Sequence, residues 1–179
     1  MSEYLFTSAR LGFRQWQEKD IAPFSLLCAD PNVMEFFPNI LTQEETIQLI
    51  SQFNKHLEIH QTTFFAVDLL ENKEFIGFIG MIYKKDKCEF AEPPAIEIGW
   101  RLKHSSWGNG YATEGARRCL EYCKDTLNET IVHSITPIPN VKSEQVMRKI
   151  GMKKIGEYNY SKIAKGHWLE RHVIYKIHL

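Results

Sequence analysis

The stretch of sequence that decides the fold is EIGWRLKHSSWGNGYATEGA, residues 97–116. A predicted strand over residues 95–102 runs straight into the segment Trp107, Gly108, Asn109, Gly110, and a predicted helix begins immediately afterwards. Glycine lets the backbone come close to a ligand, and the N–H groups at a helix start, together with the positive end of its dipole, suit a pyrophosphate. The stretch therefore predicts a phosphate-bearing ligand.

The spacing of the glycines excludes two familiar phosphate loops. A Walker loop requires GxxxxGK followed by serine or threonine, and the sequence contains no such run. A dinucleotide-binding loop requires glycine or alanine where Thr113 stands, and the predicted elements do not alternate as a βαβ series. The pattern thus argues against a nucleotide hydrolase and against a dehydrogenase.

Upstream of this stretch, the alternation of residues 10–16 predicts a first strand. Asp20 is positioned to cap a short helix that ends near Asp30. Thr42 and Glu45 match a capping box, and apolar residues at helical spacing follow them. Residues 62–70 and 75–83 are apolar segments separated by a polar turn, which predicts an antiparallel hairpin.

The glycine inside the strand over residues 95–102, Gly99, indicates a bulge or the close approach of another backbone or a ligand. Beyond the glycine-rich segment we expect a helix over residues 111–126, a strand over 130–135, a helix over 140–150 ended by Gly151, and strands over 152–158 and 169–177. The class is therefore α+β, with a mostly antiparallel sheet and one strand-to-helix-to-strand unit.

Length and charge narrow the possible functions. The chain has 179 residues, which predicts one domain over residues 1–179. Its 22 basic and 22 acidic residues cancel, which argues against nucleic acid or an anionic membrane as the main partner. The N-terminus lacks the pattern of a signal peptide and no run of about 18 apolar residues occurs, so we expect a cytoplasmic protein.

The four cysteines are sparse and form no CxxC pair, which indicates reduced thiols. Cys119 and Cys123 stand four residues apart, a spacing that permits a shared metal, but they fall on the apolar stripe of the predicted helix and we interpret them as core residues. We expect no metal. Cys28 and Cys88 are not proposed as nucleophiles.

Taken together, EIGWRL, WGNGYATEGA and the later Asn140, Ser143 and KIGM at residues 149–152 resemble the GNAT acetyltransferases, in particular their RimJ/RimL-type branch. The opening SARLGFRQW and the closing HWLERHVIYKI are similar to that branch's first and last strands. The resemblance covers nearly the whole chain. It implies a three-layer fold with a splayed central sheet flanked by helices, and acetyl-CoA as co-substrate.

The resemblance also implies roles for particular residues. The backbone of one strand would splay at a bulge and pair with the pantetheine arm, namely Ile98, Gly99, Trp100, Arg101 and Leu102. The N–H groups of the glycine-rich loop would hold the pyrophosphate, namely those of Trp107, Gly108, Asn109, Gly110, Tyr111 and Ala112. Asn140 would hydrogen-bond the pantetheine or line the acetyl channel. The family often has glutamine or arginine where Ser105 stands, so Lys103, His104 or Arg148 would have to supply charge.

Two side chains are candidates for the chemistry. An amine must lose a proton before it attacks a thioester, and Glu97 is our candidate base, acting through water. The alternative is that Glu97 is an ion-paired strand residue. Ser143 would donate to the departing thiolate, and its alternative role is to cap the helix that begins at Asn140.

The acceptor predicted first is a protein N-terminal amine. A small-molecule amine (polyamine, amino acid or antibiotic) and a non-catalytic acyl-CoA sensor remain open. Phe36, Phe37 and Pro38 would line the acceptor pocket or simply pack. Trp168 and Tyr83 are further residues that would border that pocket.

Overall fold

The computed structural model describes residues 3–86 and 88–179. Its helices and strands follow the order β1 (Phe6–Thr7), β2 (Leu11–Arg14), α1 (Ile21–Ala29), α2 (Pro31–Met34), α3 (Gln43–His60), β3 (Phe64–Leu69), β4 (Phe75–Lys84), β5 (Ala95–Leu102), α4 (Tyr111–Asp125), β6 (Ile131–Pro137), α5 (Val141–Lys149), β7 (Lys153–Asn159) and β8 (Arg171–His178). Short 3-10 helices, Glu18–Asp20 and His104–Ser106, precede α1 and α4.

In the described part of the chain, eight strands form one sheet in the order β1-β2-β3-β4-β5-β6-β8-β7. Neighbouring strands pair antiparallel except β5 and β6, which run parallel because α4 returns the chain across the sheet between them. The predicted α+β class, with one strand-to-helix-to-strand unit, is confirmed. The predicted hairpin is also confirmed as β3 and β4, with Phe64 opposite Gly80.

Local capping signals in the sequence fold as expected. The Thr42 side chain accepts a hydrogen bond from the backbone N–H of Glu45 at 3.2 Å, and the Glu45 carboxylate accepts one from the N–H of Thr42 at 2.8 Å. These two bonds are the predicted capping box, and they satisfy N–H groups at the start of α3. At the end of α5, Gly151 has the expected positive φ of 89°.

The beginning of the chain departs from the prediction. The strand predicted over residues 10–16 is β2, and it is preceded by β1, whose Phe6 pairs with Phe13. A strand of two residues is too short to show alternation, so the sequence did not reveal it. The four-residue helix α2 was also missed; the side chain of Asp30 caps it by accepting from the N–H of Asn32 at 2.9 Å.

The bulge predicted at Gly99 is wrong. The pairing of β4 with β5 runs without a shift from Gly77 opposite Leu102 to Lys84 opposite Ala95. A side chain packs closely over this position instead: a Cβ at Gly99 would lie 3.1 Å from the ring of Phe64, so a larger residue would require that ring to shift. The two halves of the sheet do splay, but on the other edge of β5, where it meets β6.

Two apolar cores lie on opposite faces of the sheet. On one face, α4 and α5 pack through residues such as Ala116, Cys119 and Met147. On the other face, α1 and α3 pack through residues such as Phe24 and Phe53. The predicted three-layer arrangement is thereby confirmed. None of the helices in the described residues has both the length and the apolar character needed to span a membrane.

Both cysteines of α4 belong to the first of these cores. Cys119 and Cys123 are fully buried, as expected for apolar packing residues. Burial raises the pKa of Cys123 to about 12, so this thiol stays protonated at neutral pH. No group of three or more metal-ligating side chains occurs among residues 3–86 and 88–179.

A buried cluster of charges joins β2, β3 and the start of α1. The Arg14 guanidinium donates to Asp20 at 2.6 Å and to Asp68 at 2.6 Å, and each of the three side chains is at most 2% exposed. Asp20 therefore stands at the N-terminus of α1, as predicted, but its carboxylate binds Arg14 and the N–H of Gln17 and does not cap the helix.

We expect Arg14→Leu to lower the free energy of unfolding by about 3–5 kcal/mol, because it leaves two buried carboxylates without their cation. Urea denaturation would measure the loss. Lys154→Leu is the control: it breaks an exposed pair with Glu157 and should cost about 1 kcal/mol or less. Equal, small losses in both variants would contradict the structural role of the cluster.

Candidate functional site

The site is built around the place where β5 and β6 separate. Within the described residues these strands share one register pair, Glu97 with His133. The Ser134 hydroxyl reinforces this contact by donating to the carbonyl oxygen of Ile98 at 2.9 Å. Beyond Ile98, β6 no longer follows β5, and a gap opens along its remaining residues.

Every second residue of β5 directs its main-chain N–H and C=O groups toward this gap. The carbonyl of Ile98 faces β6, and main-chain groups along a strand alternate between its two neighbours, so those of Trp100 face the same way. At the end of β5, the Leu102 carbonyl accepts from the indole nitrogen of Trp107 at 3.0 Å. The gap therefore offers an amide donor and acceptor to an extended, amide-containing ligand.

The glycine-rich loop continues directly from this edge. Gly108 and Gly110 both have φ of 80°, and α4 begins at Tyr111. A Cβ at Gly108 would meet no atom within 4 Å, so the loop backbone faces open space. The Asn109 amide holds the loop in shape by donating to the carbonyls of Ser106 and Trp107. Open backbone at the start of a helix fits a pyrophosphate.

Two of the cations expected to compensate for Ser105 are already paired. Lys103 contacts Glu74 at 3.0 Å. Arg148 donates to Glu144 at 2.6 Å and to the Tyr175 hydroxyl at 3.1 Å. His104 packs against Trp107, with 4.8 Å between ring centroids.

Sequence reasoning missed the cations that do flank the loop. Arg10 donates to the carbonyl of Asn109 at 3.1 Å and lies 4.5 Å from the ring centroid of Tyr111, although Glu114 partly neutralises it. The ammonium of Lys142 lies 4.5 Å from the ring centroid of Trp107, and no ion pair of Lys142 occurs in the described residues. Neither residue belongs to the glycine motif, so only the fold brings them to it.

The candidate base Glu97 lies at the point of divergence, and it is ion-paired. Its carboxylate contacts the ammonium of Lys84 on β4 at 3.2 Å, and its side chain is 17% exposed. The alternative given for Glu97, an ion-paired strand residue, is thus confirmed as a structural fact. The pair keeps the carboxylate at the edge of the gap.

At the start of α5, the helix is capped by Asn140, and not by Ser143 as the sequence had suggested. The Asn140 side chain accepts from the N–H of Ser143 at 3.2 Å and caps the helix. Capping by Ser143 is therefore wrong. The Ser143 hydroxyl has no hydrogen-bond partner in the part of the chain that the structure describes. The contact between Lys142 and Trp107 places this helix start beside the glycine-rich loop.

The aromatic residues suggested by the sequence for the acceptor pocket lie mainly on the side of the sheet that packs against α1 and α3. The rings of Phe36 and Trp168 lie 6.0 Å apart, and Trp168 is 56% exposed. Phe37 lies over the guanidinium of Arg101 at 4.0 Å. Tyr83 stacks on His60 of α3 at 5.1 Å. The side chain of Arg101 thus points away from the loop, although its main chain belongs to the edge described above.

A splayed strand whose amides lead into an open helix start defines a protein that binds an extended, phosphate-bearing cofactor. The family model of the acetyltransferase (GNAT) domain matches residues 10–153. The chain is also 31% identical over 150 residues to the uncharacterized N-acetyltransferase YnaD of Bacillus subtilis, covering 84% of this chain and 83% of YnaD. The chain therefore belongs to the GNAT family, and it is an acetyl-CoA-dependent N-acetyltransferase.

Solved structures share its fold. The GNAT-family acetyltransferase of Bacillus anthracis superposes with a TM-score of 0.78 at 24% identity, over 96% of both chains. The spermidine N-acetyltransferase of Vibrio cholerae, in complex with CoA and spermine, gives 0.73 at 18% identity over 94% and 95% of the chains. RimL, a ribosomal L7/L12 α-N-protein acetyltransferase in complex with coenzyme A, gives 0.77 at 16% over 99% and 98%. These likenesses show the predicted GNAT fold.

Proposed function

We propose that residues 1–179 act as one domain that acetylates the α-amine of a protein N-terminus, as a member of the RimJ/RimL-type branch. The observation that carries the proposal is the gap between β5 and β6, where the main chain of Trp100 faces the opening and the candidate base Glu97 marks its apex. The amine would enter from the face of the sheet that carries Glu97.

The cofactor would lie along the edge of β5 and over the start of α4. The backbone of Ile98, Gly99, Trp100, Arg101 and Leu102 would pair with the pantetheine amides. The loop N–H groups of Trp107, Gly108, Asn109, Gly110, Tyr111 and Ala112 would hold the pyrophosphate, with Lys142 supplying the charge that Ser105 lacks. Asn140 uses its oxygen as a helix cap, which leaves its amide nitrogen free to donate to pantetheine.

The chemistry requires little from side chains once the two substrates meet in one ternary complex. Glu97 would accept a proton from the amine through a water molecule. As the carbon–nitrogen bond forms and the carbon–sulfur bond breaks, Ser143 would donate a hydrogen bond to the leaving thiolate, which takes up the second proton lost by the amine nitrogen and leaves as the thiol of CoA. Backbone N–H groups of β5 would stabilise the developing oxyanion.

The charge near Glu97 favours an acceptor with one amine over a polyamine. The rings of Tyr160 and His172 lie 4.9 Å apart, and Glu97 contributes to the raised pKa of Tyr160. Burial is the main cause of that rise and of the lowered pKa of His172, so both groups are uncharged at neutral pH. Glu97 itself is bound to Lys84. The carboxylate of Glu89, which also acts on both groups, accepts from the N–H of Ser161. With one carboxylate ion-paired and the other bound to the main chain, we expect the site to suit a single positive charge.

Aromatic side chains near Arg101 also support a polypeptide acceptor: Phe37, its neighbour Phe36 and the exposed Trp168 form what we call the rim. Trp168 keeps more than half of its surface accessible while its ring touches Phe36. An N-terminal segment is longer than the site and would extend over this rim. The spermidine acetyltransferase and RimL are named for the two kinds of acceptor considered for this chain, and the charges near Glu97 favour the second.

We expect Gly110→Val to abolish acetyl-CoA binding, because the added side chain blocks the approach of phosphates to the loop. Calorimetric titration would measure the dissociation constant. Gly166→Val is the matched control, since Gly166 has a similar φ of 84° and open space around it. Both variants suffer the same backbone strain of about 1–2 kcal/mol. Unchanged acetyl-CoA affinity in the Gly110 variant would place the phosphates elsewhere.

We expect Lys142→Ala to weaken acetyl-CoA binding about fivefold, which corresponds to roughly 1 kcal/mol for an exposed charge contact. Binding of acetyl-pantetheine, which carries no pyrophosphate, should not change. Lys149→Ala, on the same helix and also exposed, is the control. An equal loss for both thioesters would mean that Lys142 supports the fold and not the phosphates.

Thiol release from acetyl-CoA tests the function itself, with an N-terminal peptide, spermidine and an aminoglycoside as acceptors. We expect the peptide to give at least a tenfold higher kcat/KM than spermidine. Glu97→Gln should lower kcat by about 10²–10⁴-fold, the range of general acid–base catalysis, and remove the acidic limb of the pH–rate profile, on which activity falls as the base is protonated. Ser143→Ala should lower kcat with the dissociation constant of acetyl-CoA unchanged.

The outcomes of this assay separate the alternatives. Faster turnover of spermidine would replace the N-terminal acceptor with a polyamine. A protein that binds acetyl-CoA but releases no thiol with any amine would be an acyl-CoA sensor. A normal pH profile in the Glu97 variant would remove Glu97 as the base.

A further inference from the structure

Arg101 occupies an unusual environment on β5. Its side chain lies on the face of the sheet that packs against α1 and α3, the same face as that of Glu97, because residues two apart on a strand share a face. One guanidinium nitrogen, Nη1, donates to the sulfur of Cys28 at 3.3 Å. The guanidinium carbon lies 4.0 Å from the ring centroid of Phe37 and 5.4 Å from that of Phe78.

No carboxylate compensates this charge. Arg101 makes no ion pair within residues 3–86 and 88–179, and its Nε is buried without a hydrogen-bond partner there. Burial lowers the pKa of Arg101, and the Cys28 thiol opposes this effect. Arg14, by contrast, binds two carboxylates. A desolvated cation without an anion is costly, and aromatic rings offset only part of that cost.

The nitrogens that remain without partners form the edge that recognises oxyanions. Because Nη1 is engaged by Cys28, the Nε and Nη2 groups are left on the other side of the planar guanidinium. These two N–H groups are parallel and match the two oxygens of a carboxylate. The residue as a whole is partly exposed while its Nε is buried, so an oxyanion bound at this edge would be largely shielded from solvent.

A path along the sheet connects this edge to the reacting amine. Gly99 lies between Glu97 and Arg101 on the same face, and the ring of Phe64 packs over it, so an acceptor would have to pass over this ring to reach both groups. Four residues of strand span roughly 13 Å between Cα atoms, and the two long side chains shorten that distance. One acceptor molecule of a few residues would reach both groups.

We propose that Arg101 binds a carboxylate of the amine acceptor, so that the enzyme selects amines with an anionic group several bonds away. This inference rests on the proposed function for its acceptor site. The carboxylate has two sources: an acidic side chain near a protein N-terminus, or the C-terminal α-carboxylate of a short peptide or amino acid.

The kinetic test compares short peptides in matched pairs. One pair exchanges glutamate for glutamine at the second residue, and the other exchanges a C-terminal carboxylate for a carboxamide. We expect the wild-type enzyme to favour the anionic member of one pair by about tenfold in kcat/KM, through KM, and the pair that responds identifies the source. Arg101→Met should bring the ratio of kcat/KM between the anionic and the neutral member of that pair to about one, while Arg101→Lys should keep part of the preference.

Lys124→Met is the matched control, since it removes an exposed cation of α4 and should leave the preference intact. The proposal is overturned if wild-type enzyme treats both members of both pairs alike. An equal loss on neutral and anionic peptides in Arg101→Met would also overturn it, because that pattern indicates a structural role.

Two readouts do not depend on turnover. The Nε–H resonance of wild-type Arg101, assigned with the Arg101→Lys variant, should shift when the glutamate peptide is added and not with the glutamine peptide. Arg101→Met should melt at or above the wild-type temperature, because it removes an uncompensated charge and keeps the apolar stem. If no amine is acetylated, the proposed function fails, and the resonance still decides whether the anion binds. An unmoved resonance, or a melting temperature several degrees lower, would contradict the inference.

Discussion

A single contact point between two parallel strands controls the arrangement of this molecule. β5 is bound to β4 along its whole length, from Ala95 to Leu102, but it meets β6 at Glu97 and then departs from it. Pairing with β4 fixes the backbone of β5 on one edge. The main-chain groups on the other edge, which faces β6, are therefore held in place without a partner strand. The hydroxyl of Ser134, bound to the Ile98 carbonyl, marks where the contact ends. Everything proposed for the cofactor follows from that free edge.

The same divergence explains why the site needs so few side chains. The strand edge supplies amides, and the left-handed Gly108 and Gly110 turn the chain so that the first N–H groups of α4 continue along the same line. Backbone groups held by sheet and helix cannot reorient, which favours preorganised binding. Lys142, on a different helix, lies beside this loop with its ammonium over the ring of Trp107, and we propose that it adds charge for the pyrophosphate.

The two arginines with buried guanidinium groups, Arg14 and Arg101, have different surroundings. Arg14 is surrounded by Asp20 and Asp68 and joins β2, β3 and the turn before α1. Arg101 is enclosed by aromatic rings and a thiol, with no anion beside it. The first arrangement is complete in itself and stabilises the fold. The second lacks a partner, which is why we assign it to recognition.

Signals that act over a few residues were readable in the sequence. The capping box at Thr42 and Glu45, the β3–β4 hairpin and the glycine-rich helix start all depend on neighbours in the chain, and all three form as predicted. Where a side chain has a distant partner, prediction failed. Asp20 was expected to cap α1 but binds Arg14, and the bulge expected at Gly99 is replaced by close packing of Phe64.

By itself, the sequence determined the α+β class, the order of most elements and the glycine-rich start of α4, because hydrophobic period, capping residues and glycine act locally. Only the tertiary structure decided which charges are compensated and which side chains reach the site. Lys142, Arg10 and Arg101 become distinctive through contacts with residues far away in the chain, and such contacts leave no periodic or local signal. The free edge of β5 is likewise a property of the sheet, since it depends on where another strand ends its pairing.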